Sequence, residues 1–429
     1  MKVCVYGLWH LGSVTAACLA EAGHEVRGLD PDAGRVEALR AGRPPVEEPG
    51  LATLIDAGLR QGGLSFFAEA AAAVAGCAVL WITFDTPVDD DDEADVQYVI
   101  DRVRQILPLL DENTVVLVSS QLPVGSCTQL AQAWDGPRRL GFACSPENLR
   151  LGGALQAFRN PERVVIGLRD ERDRATLAAL FAPITTRILW MSAESAEMSK
   201  HALNAFLATS ATFANEIAVL CEKSGADAKD VERALKSEPR IGPRAYLAPG
   251  VAIAGGTLLR DIGFLGRLAA QSSSTTPLLA AVRPSNLHHR SWPRRRLEQV
   301  LPELAGSAVA VWGLTYKPGT DTLRRSGAVE LCRWLLERGA LVRAYDPAVR
   351  ELPQEISQVR LCATPEDAAR GADALVVMTA WPRFTAIAME GVLQTMKTPN
   401  VIDPARVLPP TTAALDGIRY FAVGAAQAR

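Results

Sequence analysis

A short apolar segment, Val3–Tyr6, runs directly into Gly7-Leu8-Trp9-His10-Leu11-Gly12 and then into a helical stretch, Ser13–Ala22. A strand, a glycine turn and a helix in that order open a βαβ unit, with the helix N-terminus at the end of the strand. In the dinucleotide fingerprint the first glycine makes the turn. The second lets backbone approach a diphosphate, and the third packs helix on strand. Gly7 and Gly12 fill the first and third places, and Trp9 stands in the second. The free amides at the helix start still offer partial positive charge to a diphosphate, provided that the Trp9 side chain points away from it. The next strand, Glu25–Leu29, ends in Asp30, where an acid bonds ribose hydroxyls and repels a 2′-phosphate. The turn is therefore expected to hold NAD rather than NADP. The plainer alternative is an ordinary turn with Asp30 as a helix cap.

The same rhythm continues. Apolar segments at Ala78–Phe84, Thr114–Ser119 and Val164–Leu168 are expected as buried parallel strands, with a helix over Val96–Leu109. From about Ser192 to Ser237 the pattern turns helical. A glycine- and proline-rich loop follows from Arg240 to Gly256, and then a second helical stretch from about Asp261 to Leu301, interrupted at Ser272–Thr276. Strands return at Ala308–Gly313, Leu341–Tyr345 (ending in Asp346), Ala374–Met378 and Val401–Asp403, with a helix over Ala328–Arg338. A chain of 429 residues exceeds what one core usually organises. The fold class read from this is α/β: two Rossmann-like doubly wound domains, at 1–191 and 302–429, joined by a central helical domain at 192–301.

Several classes of function are disfavoured. A net charge of -3 gives no bulk attraction to nucleic acid or anionic membrane. The longest apolar run, around Ala71–Ile82, is too short to span a bilayer, and the first strand leaves no room for a signal peptide. A cytoplasmic protein with neither nucleic acid nor membrane as partner is expected. The eight cysteines form no C-x-x-C pair and read as buried reduced thiols; no metal site is expected. The basic stretch His288–Arg296 and the acidic run Asp89–Glu93 read as solvated loops or helix ends.

Further segments carry a resemblance. EPGL (Glu48–Leu51) and Thr86-Pro87 follow the glycine turn. SSQLPVGS (Ser119–Ser126) is similar to S-T-V-P-V-G-T, and SPENLRLGG (Ser145–Gly153) to P-E-F-L-R-E-G. The long helix Ala196–Cys221 carries Lys200 and Asn204 four apart. PRIG (Pro239–Gly242), PGVAIAGGTLLRD (Pro249–Asp261) and GLTYKPGTDTLRRS (Gly313–Ser326) complete the order. Together they resemble the UDP-glucose/GDP-mannose dehydrogenase family along nearly the whole chain. The resemblance implies an N-terminal NAD domain, a central helical dimerising domain and a C-terminal nucleotide-sugar domain. It also implies oxidation of a sugar C6 alcohol to a carboxylate in two steps with two NAD.

Residue by residue, the resemblance implies Lys200, Asn204 and Asp261 at the reacting alcohol, and Glu147 as acid or base in the second half-reaction. Lys200 and Asn204, four apart on a helix, share a face. Cofactor contacts are expected from Gly7, Leu8, Trp9, His10, Leu11, Gly12 and Asp30, with Thr86, Gln121, Arg260 and Arg324. Sugar-nucleotide contacts are expected from Glu147, Asn148, Leu149, Lys200, Asn204, Gly250, Gly255, Gly256 and Lys317, and from Arg240 reaching across a homodimer. The sequence departs from the family at positions that bear chemistry. Thr257 stands at the nucleophilic cysteine, Gln121 at a threonine, Leu151 at a glutamate and Arg260 at a lysine. A threonine hydroxyl stays protonated at neutral pH and is a far poorer nucleophile than a thiolate. Three outcomes stay open: full oxidation with water replacing the thiol, oxidation that stops at the aldehyde or acts on another hydroxyl, and a catalytically silent protein that binds nucleotide sugar or NAD.

Overall fold

The computed structural model describes residues 1–89, 94–146, 149–254 and 256–425. Two compact units divide the chain, Met1–Leu203 and Asn204–Arg429. The first is built on eight strands: β1 (Lys2–Tyr6), β2 (Glu25–Leu29), β3 (Leu64–Phe67), β4 (Val79–Ile82), β5 (Val115–Val118), β6 (Gly141–Cys144), β7 (Val164–Leu168) and β8 (Ile188–Ser192). Helices α1 (His10–Glu21), α2 (Ala33–Arg40), α3 (Leu51–Arg60), α4 (Ala70–Val74), α5 (Val96–Ile106), α6 (Ser126–Gln132), α7 (Ala154–Arg159) and α8 (Arg174–Phe181) connect them. The sheet order β3-β2-β1-β4-β5-β6-β7-β8 reverses direction between β1 and β4, where doubly wound sheets bind ligands at their strand ends.

Alternate residues of the central strands feed two cores, which is why these strands read as continuous apolar runs. Val3, Val5, Val79, Trp81, Val115 and Leu117 pack with α1, α3, α7 and α8. Cys4, Tyr6, Leu80, Ile82, Val116 and Val118 pack with α4, α5 and α6. One expectation is corrected. β7 is not simply another buried parallel strand: it pairs antiparallel with β6 and parallel with β8, and Val164 and Val165 are only half-buried.

Helix α9 (Ala193–Ser224) spans 32 residues, and the division between units falls within it. By length and composition alone it could cross a membrane, but 44% of its apolar window is buried within the protein. The second unit continues with α10 (Ala228–Ser237), α11 (Thr257–Gln271), α12 (Pro277–Arg290) and α13 (Trp292–Val300). Its strands are β9 (Ala308–Trp312), β10 (Leu341–Tyr345), β11 (Arg360–Leu361), β12 (Ala374–Val377), β13 (Asn400–Ile402) and β14 (Arg419–Phe421), with helices α14 (Gly327–Glu337), α15 (Pro365–Ala369) and α16 (Met389–Thr395). The order β11-β10-β9-β12-β13-β14 repeats the winding of the first sheet, and all its pairings are parallel.

The two sheets share a turn as well as a winding. Gly7 and Gly313 both have positive φ, 101° and 84°. In each case the next residue's N–H donates to the acid that ends the neighbouring strand: Leu8 to Asp30 and Leu314 to Asp346, both at 2.7 Å. A serine hydroxyl donates to that residue's carbonyl in both, Ser13 to Leu8 and Ser326 to Leu314.

The basic stretch His288–Arg296 does lie at helix ends, where α12 closes at Arg290 and α13 opens at Trp292, but it is only partly solvated. His289 and Trp292 are buried, Arg290 pairs with Glu330, and Arg296 pairs with a nearly buried Glu222. Arg294 lies over the Trp334 ring, and Arg295 donates to the His288 carbonyl and the Ser291 hydroxyl. Most of the acidic run Asp89–Glu93 lies outside the described residues.

Candidate functional site

The glycine turn has the form that a dinucleotide requires. A side chain at Gly12 would bring its Cβ within 1.8 Å of the Gly7 carbonyl oxygen, and one at Gly7 would meet Phe84 at 2.8 Å. Trp9 takes the second position without strain, because its φ is −77°. Its side chain stays 41% exposed. Helix α1 has no side-chain cap at its N-terminus and no acid in its first turn, so neither of these usual partners serves its leading amides. In contrast, α2 is capped by Asp32, which accepts from the Arg35 N–H. Asp30 is buried and accepts from the Leu8 N–H and the Arg35 guanidinium on one oxygen, and from the Asp32 N–H on the other. This is the acid at the strand end that ribose binding calls for, and the turn fits NAD. Leu8 and Leu11 are buried beneath it.

Other expected residues of the first unit gather near the same sheet edge. Thr86 follows β4 and its hydroxyl donates to the Gln121 carbonyl after β5, at 2.7 Å. Leu149, beside Pro146, lines a cavity of about 470 Å³ with Leu11, Thr15, Trp81 and Phe158. Glu147, Asn148 and Gly255 lie outside the described residues.

Glu48 was legible only as part of a motif. Its buried carboxylate accepts the Gly152 N–H at 2.7 Å and the Ala154 N–H at 2.9 Å, and it also meets His10 Nε2 at 3.1 Å. One side chain thus ties the end of the 145–153 segment to the glycine turn. Lys200 lies half-buried on α9, between two anchors that sequence reasoning missed. Glu197 accepts the Gly125 and Cys127 N–H groups at 2.6 and 2.8 Å, and burial pushes its carboxyl above the usual range. His201 Nε2 bonds the Leu122 carbonyl at 3.0 Å. Both polar side chains fix α9 to the loop after β5.

In the second unit, Asn204 Nδ2 donates to Asp261 Oδ2, and both residues are buried. Asp261 sits inside α11, so it is not the cap of that helix. Thr257 is the first residue of α11, one turn before Asp261, and is exposed. Gly256 precedes it at the cap position with no side chain to offer. The loop before α11 is pinned at its main chain. Asn215 accepts from the Gly250 N–H at 2.9 Å, His289 Nε2 donates to the Gly250 carbonyl at 2.7 Å, and Asn286 bonds both the N–H and the carbonyl of Ile253. Burial pushes His289 below the ordinary histidine value, which matches a neutral ring donating to a carbonyl. Residues Gly250–Ala254 line a pocket of about 40 Å³ with Thr315, Tyr316 and Ser326. That volume has room for water.

Lys317 is half-buried beside Tyr316, Arg260 is half-buried on α11 and Arg324 is exposed. Arg240 is 88% exposed and pairs with Glu238. No metal-holding group of three His, Cys, Asp or Glu side chains occurs among the described residues. All eight cysteines are free, and burial pushes every one of their thiols above the ordinary value. Cys77 reaches about 11 and Cys18 and Cys332 about 12. None is a ready thiolate.

Comparison with known proteins gives a consistent match. Residues 1–185, 194–288 and 310–410 match, in turn, the NAD binding, central and UDP binding domain models of the UDP-glucose/GDP-mannose dehydrogenase family. A UDP-glucose 6-dehydrogenase of Pseudomonas aeruginosa is 35% identical over 446 aligned residues, covering 99% of this chain and 97% of that protein. One from Rhizobium meliloti is 34% identical over 435, covering 99% of each. The solved UDP-glucose dehydrogenase of the hyperthermophilic archaeon Pyrobaculum islandicum superposes with a TM-score of 0.87 at 31% identity, covering 99% of this chain and 98% of that one.

Proposed function

Because this chain belongs to the UDP-glucose/GDP-mannose dehydrogenase family and is an NAD-dependent nucleotide-sugar dehydrogenase, we propose that it oxidises C6 of a UDP-hexose toward the uronic acid. UDP-glucose is the first candidate, since relatives of 34–35% identity carry that name. In this reading residues 1–191 hold NAD, 192–301 form the dimerising centre and 302–429 hold the nucleotide sugar.

The observation that carries the proposal is the buried Asn204–Asp261 pair. Burying two polar groups is costly unless they serve each other. The amide nitrogen of Asn204 is committed to the carboxylate, so its oxygen is left to accept from a substrate hydroxyl or a water. Asp261 holds the water that takes the proton leaving the C6 hydroxyl. The Lys200 ammonium, one turn earlier on α9, stabilises negative charge as it develops on that oxygen. NAD, when bound, supplies the hydride acceptor. Leu8, Trp9, His10 and Leu11 line its turn with Gly7, Gly12 and Asp30, and Thr86, Gln121, Arg260 and Arg324 complete its contacts. Glu147, Asn148, Leu149, Gly250, Gly255, Gly256 and Lys317 hold the sugar nucleotide.

A second reading is favoured by one specific observation: Thr257 replaces the nucleophile, and no thiol in the chain is activated. In that reading oxidation stops at the 6-aldehyde. The stoichiometry of NADH to sugar separates the two. With purified protein, NAD and a panel of UDP-, GDP- and dTDP-sugars, two NADH per sugar mean full oxidation, with water adding to the aldehyde. One NADH per sugar means arrest after the alcohol. No NADH with any sugar would sink both.

The same reading places a second copy of the chain at α9. Phe206, Phe213 and Leu220 are exposed by 67, 47 and 62% at seven-residue spacing, the repeat of a helix seam that seeks a partner. Across such a homodimer, Arg240 reaches the partner's sugar.

A further inference from the structure

Trp9 is the place where this chain departs from the dinucleotide fingerprint, and its surroundings are organised. The Arg35 guanidinium lies over the indole, 5.3 Å from the ring centroid. The same guanidinium donates to Asp30 Oδ2 at 2.8 Å, the oxygen that also accepts the Leu8 N–H of the turn. Asp30 is 1% exposed. A single exposed aromatic residue on a surface needs no explanation. This one is held by a cation that is itself anchored to the ribose-binding acid, and it borders the turn that receives the diphosphate.

We propose that Trp9 and Arg35 form a stacking clamp for the adenine of NAD, replacing the close backbone approach that a second glycine would give. The inference rests on the placement of the dinucleotide at Gly7–Gly12. A ribose bonded to Asp30 brings its base close to Arg35, which bonds the same acid and lies over the Trp9 ring. Purines stack on indole and guanidinium faces, and a ring already fixed by Arg35 loses little freedom when the base arrives. The clamp acts on the adenosine half alone. The nicotinamide half and the sugar nucleotide do not feel it.

Calorimetric titration of the full-length protein tests this with NAD, ADP-ribose, nicotinamide mononucleotide and UDP-glucose. Trp9→Gly restores the fingerprint glycine. It is expected to weaken NAD and ADP-ribose by roughly tenfold, with nicotinamide mononucleotide and UDP-glucose unchanged. Trp9→Phe should fall between, and Arg35→Ala should weaken the same two ligands. Equal or tighter NAD binding in Trp9→Gly overturns the clamp and makes the indole an obstacle. Weakening of all four ligands together also overturns it, because the change is then a loss of fold. Hydrogen exchange on the parent separates this failure from that of the underlying placement. If NAD leaves the amides of residues 7–13 unprotected, the dinucleotide binds elsewhere and the clamp falls with its premise. If they are protected while Trp9→Gly binds normally, the clamp alone fails.

Discussion

Thr257 begins α11, a helix of 15 residues with no side chain capping its start. A thiol there would face unpaired amides, which lower a cysteine's pKa, whereas the eight native cysteines are held protonated by burial. Thr257→Cys is therefore expected to be alkylated rapidly by iodoacetamide at neutral pH. If the parent stops at the aldehyde, the variant should raise the yield from one to two NADH per sugar. An alkylatable variant that keeps the parent stoichiometry shows that the missing thiol does not set the endpoint. At this scale the sequence was legible where chemistry is local. Lys200 and Asn204 are one turn apart, and Thr257 and Asp261 are one turn apart. The residues that pin the surrounding backbone were not legible. Glu48, Glu197, His201, Asn215, Asn286 and His289 bond main-chain groups 33 to 106 residues away, and no local spacing encodes such partners.

Strands were readable where an apolar run was long, not simply where burial was complete: β6, four residues buried throughout, was missed, while β2 and β7, each partly exposed, were read. Central strands such as β1, β4 and β5 are apolar at nearly every position because both faces are covered. β3 alternates between buried and half-buried residues over only four positions, and edge strand β8 is half-exposed, so neither stood out from loop sequence. The connections matter more to function than the strands. Glu48, just before α3, closes the amides that lead into α7. Glu48→Ala leaves the buried Ala154 N–H and the part-buried Gly152 N–H without their acceptor and is expected to cost about 1–3 kcal/mol, seen as a lower urea midpoint. A loss under about 0.5 kcal/mol would mean that water replaces the carboxylate there. A pH effect belongs to α12. The folded state disfavours protonated His289, whose other charged neighbours are Arg295, Glu222 and His288. Because the folded value is depressed, its contribution to stability is full above about pH 6.5 and is lost as pH falls through the folded value. The urea midpoint should therefore drop with acidification. His289→Gln, which can still donate to the Gly250 carbonyl, should flatten part of that slope. An unchanged slope assigns the pH dependence to other groups.

At the scale of the whole molecule, the exposed seam of Phe206, Phe213 and Leu220 and the exposed Arg240 support the proposal that the working unit is a pair of chains whose sites share residues. Two linked experiments test it. Phe213→Asp places a charge in the seam and is expected to turn a sedimenting dimer into a folded monomer. Activity should fall at least about tenfold, because each site loses an arginine that meets charge on its ligand. The second experiment asks whose arginine it is. Lys200→Ala and Arg240→Ala homodimers should each be nearly inactive. Mixed and allowed to exchange subunits, half of the dimers are heterodimers. Each heterodimer has one site with its own Lys200 and the partner's intact Arg240. Isologous pairing thus predicts recovery of about a quarter of the parent activity. A plateau near that fraction fits sharing across the two-fold axis. If exchange occurs and no activity returns, Arg240 serves its own subunit, and the dimer, if it forms, is scaffold rather than site.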